Sequence, residues 1–414
     1  MPEVFDFCIV GAGIVGSAAA RHATCRPGTS VCLVGPTEAQ TWSSRDGDVF
    51  GSWYDEGRRV SCLGKDAAMA DIGRATIERF PDIEDQAGFK FYYEVGSLNI
   101  GQACVCFNGK RSQDSVRKLE NADMKKQFPY LVMNKTDRGE LETQNAGYIN
   151  PRALVAAQKI IALRAGCTII DDIAVSVDRV LAGTMYHMSV RTEGGRTILA
   201  RRVLLATGGF STFRDLLPPS AGYPDQYVKP TCVSLLKVSA DTASRFRAMP
   251  CVLYKGEGDG RWMKATTDGT GRLIDFYMLP PIRYPDGCYY IKLGLTGAVP
   301  KMLRSQDDVR RWYRNGDVTV QRNVAEFAKS VFQGVDFLGC QGSGCVITET
   351  PTGRPYIDMV HDQLGVAFGG NGMAAKWSDE IGRLAFQMLL GDWDSHLPRD
   401  LFRLKLSHQR LARL

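Results

Sequence analysis

Three glycines near the start of the chain are spaced to hold a phosphate. Gly11, Gly13 and Gly16 stand in Val10-Gly-Ala-Gly-Ile-Val-Gly-Ser17. Gly11 permits a tight turn, Gly13 lets a pyrophosphate approach the backbone, and Gly16 lets a helix pack close to the preceding strand. The anion would rest on the free N–H groups that open that helix, with Ile14 and Val15 among the expected contacts. Such a spacing alone is weak evidence. Here the apolar run Phe7–Val10 before it reads as a buried parallel strand, and Ser17–His22 after it as a helix. Strand, turn and helix in that order point to dinucleotide binding.

The elements that would position this turn are β/α in character. Ser30–Val34 reads as the second strand. An acidic residue that binds ribose is expected directly after it, but the chain has Gly35-Pro36, and Glu38 comes later. Either Glu38 reaches back or the ribose is held otherwise. Lys65–Phe80 has apolar residues at helical spacing. Phe89–Ile100 looks like strand with a glycine break, and residues 101–146 are polar and irregular. Asn150 and Pro151 supply the cap and first turn of a helix that Gly166 stops. Cys167–Val177 follows as a strand. Arg201-Arg-Val-Leu-Leu-Ala-Thr207-Gly208 is a hydrophobic strand running into a turn. Beyond it, Thr231–Val238, Gly271–Met278 and Tyr289–Leu295 are strand-like, with Pro285-Asp286-Gly287 a turn signal between the last two. Asp307–Trp312 and Val320–Phe332 are helix-like. Along Tyr289–Leu295, Tyr290 and Lys292 face opposite to Tyr289, Ile291, Leu293 and Leu295.

Composition narrows the function classes. The chain has 414 residues, 44% hydrophobic and 23% charged, enough for two domains and a substantial core. No apolar run approaches the roughly 20 residues that span a membrane. Asp6 and Gly11 interrupt any signal-type stretch. A net charge of +6 with basic and acidic residues intermixed argues against nucleic-acid binding. The 12 cysteines, without a leader, suggest a reducing compartment and free thiols. Cys104/Cys106 and Cys340/Cys345 lack the histidine spacing of a zinc site, so no metal is expected.

Taken together, the motifs resemble the D-amino-acid oxidase-like flavoproteins, and among them the sarcosine oxidase and pipecolate oxidase family. The resemblance covers nearly the whole chain in the same motif order. It implies an FAD site built from the N-terminal glycine turn and the strand ending at Thr207 and Gly208. Glu38, Ser44, Arg45 and the backbone of Val175, which would meet the adenine, are further implied contacts. The segment Gly344-Cys345-Val-Ile-Thr-Glu-Thr-Pro351 resembles one whose cysteine is joined by a thioether to the flavin 8α-methyl group. That chemistry requires a thiolate; the plainer reading of Cys345 is a buried thiol beside non-covalent FAD. Lys292, in Ile291-Lys-Leu-Gly294, matches a lysine set over the flavin face, where a fixed cation stabilises charge as reduced flavin meets oxygen. The plainer reading of Lys292 is a solvent-facing lysine of an edge strand. Tyr277 matches a substrate-pocket tyrosine. Gly369-Gly370-Asn371-Gly372-Met373 leads into a helix whose positive end would face the flavin pyrimidine ring. Lys376 on that helix matches a lysine that pairs with a substrate carboxylate, although the turn before it is longer than in sarcosine oxidase.

Two departures bear on the substrate. Val49-Phe50-Gly-Ser-Trp53 stands where the family has arginines close to the flavin, with no basic residue before Arg58, and Thr296 replaces a histidine. Phe50 and Trp53 suggest a more apolar pocket, or ordinary core packing. The resemblance implies an α/β fold, with a Rossmann-like FAD-binding domain (1–88, 147–228, 340–414) interleaved with an α+β substrate domain on an antiparallel sheet (89–146, 229–339). It implies an FAD-dependent amine oxidase that converts the C–N bond of an amino acid or N-substituted amine to an imine and reduces oxygen to hydrogen peroxide. Its partners would be a small amine substrate and molecular oxygen, without nucleic acid or membrane, and the protein would be a monomer. A dehydrogenase with another electron acceptor and a non-catalytic flavin-binding protein are the rivals. The closing Ala412-Arg413-Leu414 fits a peroxisomal address in a eukaryote; otherwise the expected location is cytoplasmic.

Overall fold

The computed structural model describes residues 4–38, 49–64, 66–101, 116–255, 275–295 and 302–407. Ser44, Arg45, Lys65, Cys104, Cys106, Thr296 and residues 412–414 lie outside these.

The strand Val4–Val10 is the centre of the first sheet. It pairs in parallel with Val31–Val34 on one side and Thr197–Leu205 on the other, so that Ile9 stands between Leu33 and Leu204. Alternate residues along it enter different cores. Phe7 and Ile9 pack with the helices Ile14–Thr24 and Ala374–Leu390. Cys8 and Val10 pack on the other side with Val203, Leu205 and Tyr356. Thr168–Ile170 continues the parallel set beyond Val31–Val34. Leu364–Phe368 joins Thr197–Leu205 in parallel. The hairpin of Ala174–Ala182 and Met185–Thr192 closes the other edge.

Among the described residues the second sheet has eight strands, in the order Gly339–Glu349, Tyr227–Val238, Tyr289–Leu295, Phe276–Arg283, Cys251–Lys255, Ser97–Gly101, Arg138–Glu142 and Val116–Leu119. It is antiparallel except where Ser97–Gly101 runs beside Cys251–Lys255. Its inner face, with Leu98, Leu236, Met278, Ile291 and Leu293, packs against Val324, Phe327, Ala328 and Val331 of the helix Val318–Val331. Gln306–Asn315 precedes that helix, each capped by an acceptor side chain, Ser305 and Asp317.

Several expectations change. Residues 101–146 were read as irregular, yet the described part holds two strands and the helix Asn121–Gln127. Arg138-Gly-Glu-Leu-Glu142 is mostly polar and takes strand form because it pairs with Ser97–Gly101, which periodicity cannot show. The run Phe89–Ile100 breaks at its glycine, Gly96 (φ 83°), as read, but its two pieces, Tyr92–Tyr93 and Ser97–Gly101, enter different sheets. The strand expected over Cys167–Val177 is split at Asp171-Asp172. The segment 339–349, assigned with the FAD-binding part from residue 340 onward, forms the outer partner of Tyr227–Val238 in the second sheet. A motif resemblance marks the segment's residues but does not report which sheet the strand joins.

Buried charge locks the two helices of the first sheet together. Asp379, fully buried, accepts from Arg21 at 2.5 Å and Arg79 at 2.5 Å, with His22 at 3.3 Å. Burial alone would raise its pKa, but His22, Arg21 and Arg79 hold it well below the carboxylate range. A depressed carboxylate stabilises the fold above its unfolded pKa and loses that contribution as pH falls. Asp379→Asn is therefore expected to cost about 3–5 kcal/mol near neutral pH. Denaturant titrations should show the gap to wild type narrowing in acid; an equal gap at all pH values would contradict the charge pairing.

Candidate functional site

A cavity of about 410 Å³ is lined by residues of both sheets. At one end lie Gly11, Gly13, Ile14 and Val15, with Gly35, Pro36, Thr207 and Gly208. Gly11 adopts φ 111°, and a Cβ there would strike the Ala206 carbonyl, so only glycine makes this turn. Gly13 is the N-cap of Ile14–Thr24 and offers no capping side chain. The first N–H groups of the helix are left for a ligand, as an anion requires. The Thr207 hydroxyl, in the same lining, is buried with no hydrogen-bond partner. These features fit a phosphate-bearing dinucleotide.

Glu38 does not reach back. Arg152, from the helix Pro151–Arg164, grips its carboxylate through Nε at 2.7 Å and Nη2 at 2.6 Å, and Glu38 is absent from the lining. A guanidinium fork matches a carboxylate in this bidentate way. Val175 is 45% exposed and also outside the lining, where Ile173 and Ala174 stand instead.

The other end gathers Tyr277, Cys345, Lys376 and the turn Gly369–Met373. The turn delivers the N-terminus of Ala374–Leu390, again without a capping side chain. Asn371 (φ 48°) fixes it, its Oδ1 accepting from Thr350 N at 2.9 Å and its own N donating to Thr348 O at 2.9 Å. Gly370, Asn371, Gly372 and Met373 line the cavity. Lys376 is 5% exposed and donates to the Leu63 carbonyl at 2.5 Å. Cys345 stands opposite Thr231 in the second sheet, and its carbonyl accepts from Trp312 Nε1 at 2.9 Å. Tyr277 lies across Gly294. Burial pushes the Tyr277 phenol up, so it stays protonated and can donate a hydrogen bond.

Lys292 is completely buried and is not in the lining. Its ammonium donates to Asp55 Oδ2 at 2.5 Å and to Gly57 O at 2.9 Å. Burial lowers it to about 8, Arg58 adds to the effect and Asp55 opposes it. Asp55 also pairs with Arg58 and accepts from the Tyr284 hydroxyl at 2.8 Å. Burial would raise the Asp55 carboxyl, but Arg58 and Lys292 hold it well below its usual range. Sequence reading missed Asp55 as a partner, and missed Arg58 at the site. Asp55 meets Lys292 from far along the chain, and no spacing rule announces that contact. Arg58 lines the cavity, its Nη2 at 3.8 Å from the Cys345 sulfur. Phe50 both packs and lines: it is 4% exposed and stacks on Tyr313 at 5.2 Å along the cavity. Trp53 lines it too, edge-on to Tyr54 at 4.5 Å.

A Cβ on Gly294 would lie 2.5 Å from Tyr277 Cε1 and 2.8 Å from its hydroxyl oxygen. Gly294→Ala is expected to displace the ring, costing about 1–3 kcal/mol of stability and about tenfold or more in kcat/KM. Thermal melts and steady-state kinetics would check this; an unchanged kcat/KM would remove Tyr277 from the site.

The family model for FAD-dependent oxidoreductases, DAO, matches residues 6–388. No curated protein matches in sequence. Among solved structures, the chain is similar to the open form of NikD, an unusual amino acid oxidase essential for nikkomycin biosynthesis: TM-score 0.72, 17% identity, 98% of this chain and 99% of that one. Fructosyl amine:oxygen oxidoreductase (amadoriase I) from Aspergillus fumigatus gives TM-score 0.67 at 16% identity, covering 97% and 89%. L-proline dehydrogenase from P. horikoshii gives 0.69 at 13%, covering 97% of each chain. At such identities the likeness is one of fold.

Proposed function

The chain belongs to the family of FAD-dependent oxidoreductases, and from that premise we propose that it is an amine oxidase acting on an amino acid or N-substituted amine. The observation that carries this reading is the single cavity shared by two uncapped helix N-termini, with Tyr277, Cys345 and Lys376 at one end. FAD held in this cavity would supply a two-electron acceptor for hydride from the carbon beside nitrogen, with water hydrolysing the resulting imine and oxygen, reduced to hydrogen peroxide, as the final acceptor.

The chain's own residues hold and shape the reactants. Gly11, Gly13, Ile14 and Val15, with Thr207 and Gly208, line the cavity and would hold the pyrophosphate, while Gly16 lets the helix pack against the turn at Gly11. Gly370 to Met373 and the helix behind them set a positive dipole end where negative charge collects. Tyr277 donates a hydrogen bond to the substrate, and Lys376 offers a cation to a substrate carboxylate. Phe50, Trp53 and Tyr313 make an apolar wall that excludes water. Cys345 is the candidate for thioether attachment, since its thiol lies in the lining beside the Arg58 cation. The protein acts as a monomer on a small molecule. No helix among the described residues is long and apolar enough to cross a membrane.

A dehydrogenase that passes electrons to an acceptor other than oxygen is the second reading. One observation favours it: the Lys292 ammonium is bound to Asp55 and does not line the cavity.

Acid precipitation of the yellow protein tests the attachment. Flavin colour is expected in the wild-type pellet and in the supernatant of Cys345→Ala; colour in the wild-type supernatant would exclude the covalent bond. Peroxide release in air with N-methyl and cyclic amino acids is expected. Flavin bleached by substrate without peroxide would establish the dehydrogenase.

A further inference from the structure

The charges at the Cys345 end of the cavity form one unit around a single carboxylate. Asp55 takes the Lys292 ammonium on Oδ2 at 2.5 Å, Arg58 on the same oxygen, and the Tyr284 hydroxyl on Oδ1 at 2.8 Å. Asp55 is itself only 7% exposed. The second acceptor for Lys292 is Gly57 O at 2.9 Å, from the segment that joins Asp55 to Arg58. Lys292 is fully buried and outside the cavity lining, which does include Asp55 and Arg58. Arg58 shares both acceptors, its Nη1 donating to Asp55 Oδ2 and to Gly57 O at 3.0 Å. Its Nη2 donates to Ser52 O at 2.7 Å and lies 3.8 Å from Cys345 Sγ, within the cavity wall.

We propose that Asp55 is a positioning residue that decides which cation meets the ligand: itself in the cavity wall, it anchors Lys292 outside the lining and holds Arg58 within it. The proposal rests on the reading of this cavity as the FAD site. A buried ammonium without its carboxylate would be an uncompensated charge, so Asp55 is what keeps Lys292 protonated in place. The groups that face Lys292 are Asp55 and Arg58 beside Gly57, Tyr277 with its ring centroid at 6.0 Å, and Cys345 across the sheet. The Tyr284 hydroxyl donates to Asp55 Oδ1 beside it. Burial and Arg58 weaken its hold on the proton, and Asp55 is the group that strengthens it most. A guanidinium keeps its charge across the whole working pH range, whereas a desolvated ammonium does not. The arrangement thus places a pH-independent cation at the ligand and a titratable one behind it.

Two measurements on the purified holoenzyme test this. The first uses lysine labelled with 13C at Cε, with the Lys292 resonance assigned by its loss in Lys292→Met. In wild type it should titrate near pH 8. In Asp55→Asn it should titrate lower by about one unit or more, because the stabilising charge is gone. An unchanged titration would overturn the anchoring role. The second is the dissociation constant for sulfite, read from bleaching of the flavin band, which responds to positive charge facing the flavin. Arg58→Met is expected to weaken sulfite about tenfold or more, and Lys292→Met by less than about threefold. The reverse order would overturn the proposal, and this pair decides the matter even if Asp55→Asn does not fold. Wild-type protein that takes up no FAD would refute the cavity assignment by itself, and the lysine titration would still judge Asp55.

Discussion

The contact between the helices Ile14–Thr24 and Ala374–Leu390 governs the site. Each helix ends, at its N-terminus, in a glycine-containing turn with no side chain to cap it, and both turns open on one cavity. The helices approach closely because small residues, Ala18 and Ala19, meet Gly382 across the contact. Asp379 pins them, drawing Arg21 from one helix and Arg79 from the end of Ala67–Glu78. A shift of one helix along the other would move one set of free N–H groups away from the ligand while leaving the second in place. Electrostatic preorganisation of the cavity is in this sense a packing problem, solved well outside the cavity.

Much of the first sheet was legible in the sequence because its signals are local. A strand buried on both faces reads as an unbroken apolar run, and the glycine turn after it needs backbone conformations that few residues adopt. The cap at Asn150, the proline after it and the stop at Gly166 were legible for the same reason, and the structure keeps all three. The second sheet was less legible. Strands such as Val116–Leu119 and Arg138–Glu142 owe their form to neighbours distant in sequence, and their polar composition conceals them.

The site divides along the same line. Gly11, Gly13, Thr207, Cys345, Tyr277 and the turn at Gly369–Met373 all border the cavity, since each was marked by a motif with its own backbone or chemical reason. Lys292, Glu38 and Val175 do not border it. A motif places a side chain on an element, but the charges around it decide where its end group goes. Arg152 captures Glu38 and Asp55 captures Lys292, and both captors are recognisable only once the chain is folded.

The strand Gly339–Glu349 has a consequence for how such a protein can be taken apart. It lies in the second sheet, and the chain then turns at Pro351 and enters the first sheet as Tyr356–His361. The first sheet draws on the beginning, middle and end of the chain, and the second fills the intervals. No single cut yields a complete sheet, and neither half is available as a separable module. An exchange of substrate-binding halves between relatives must replace several segments together, each joined at two seams.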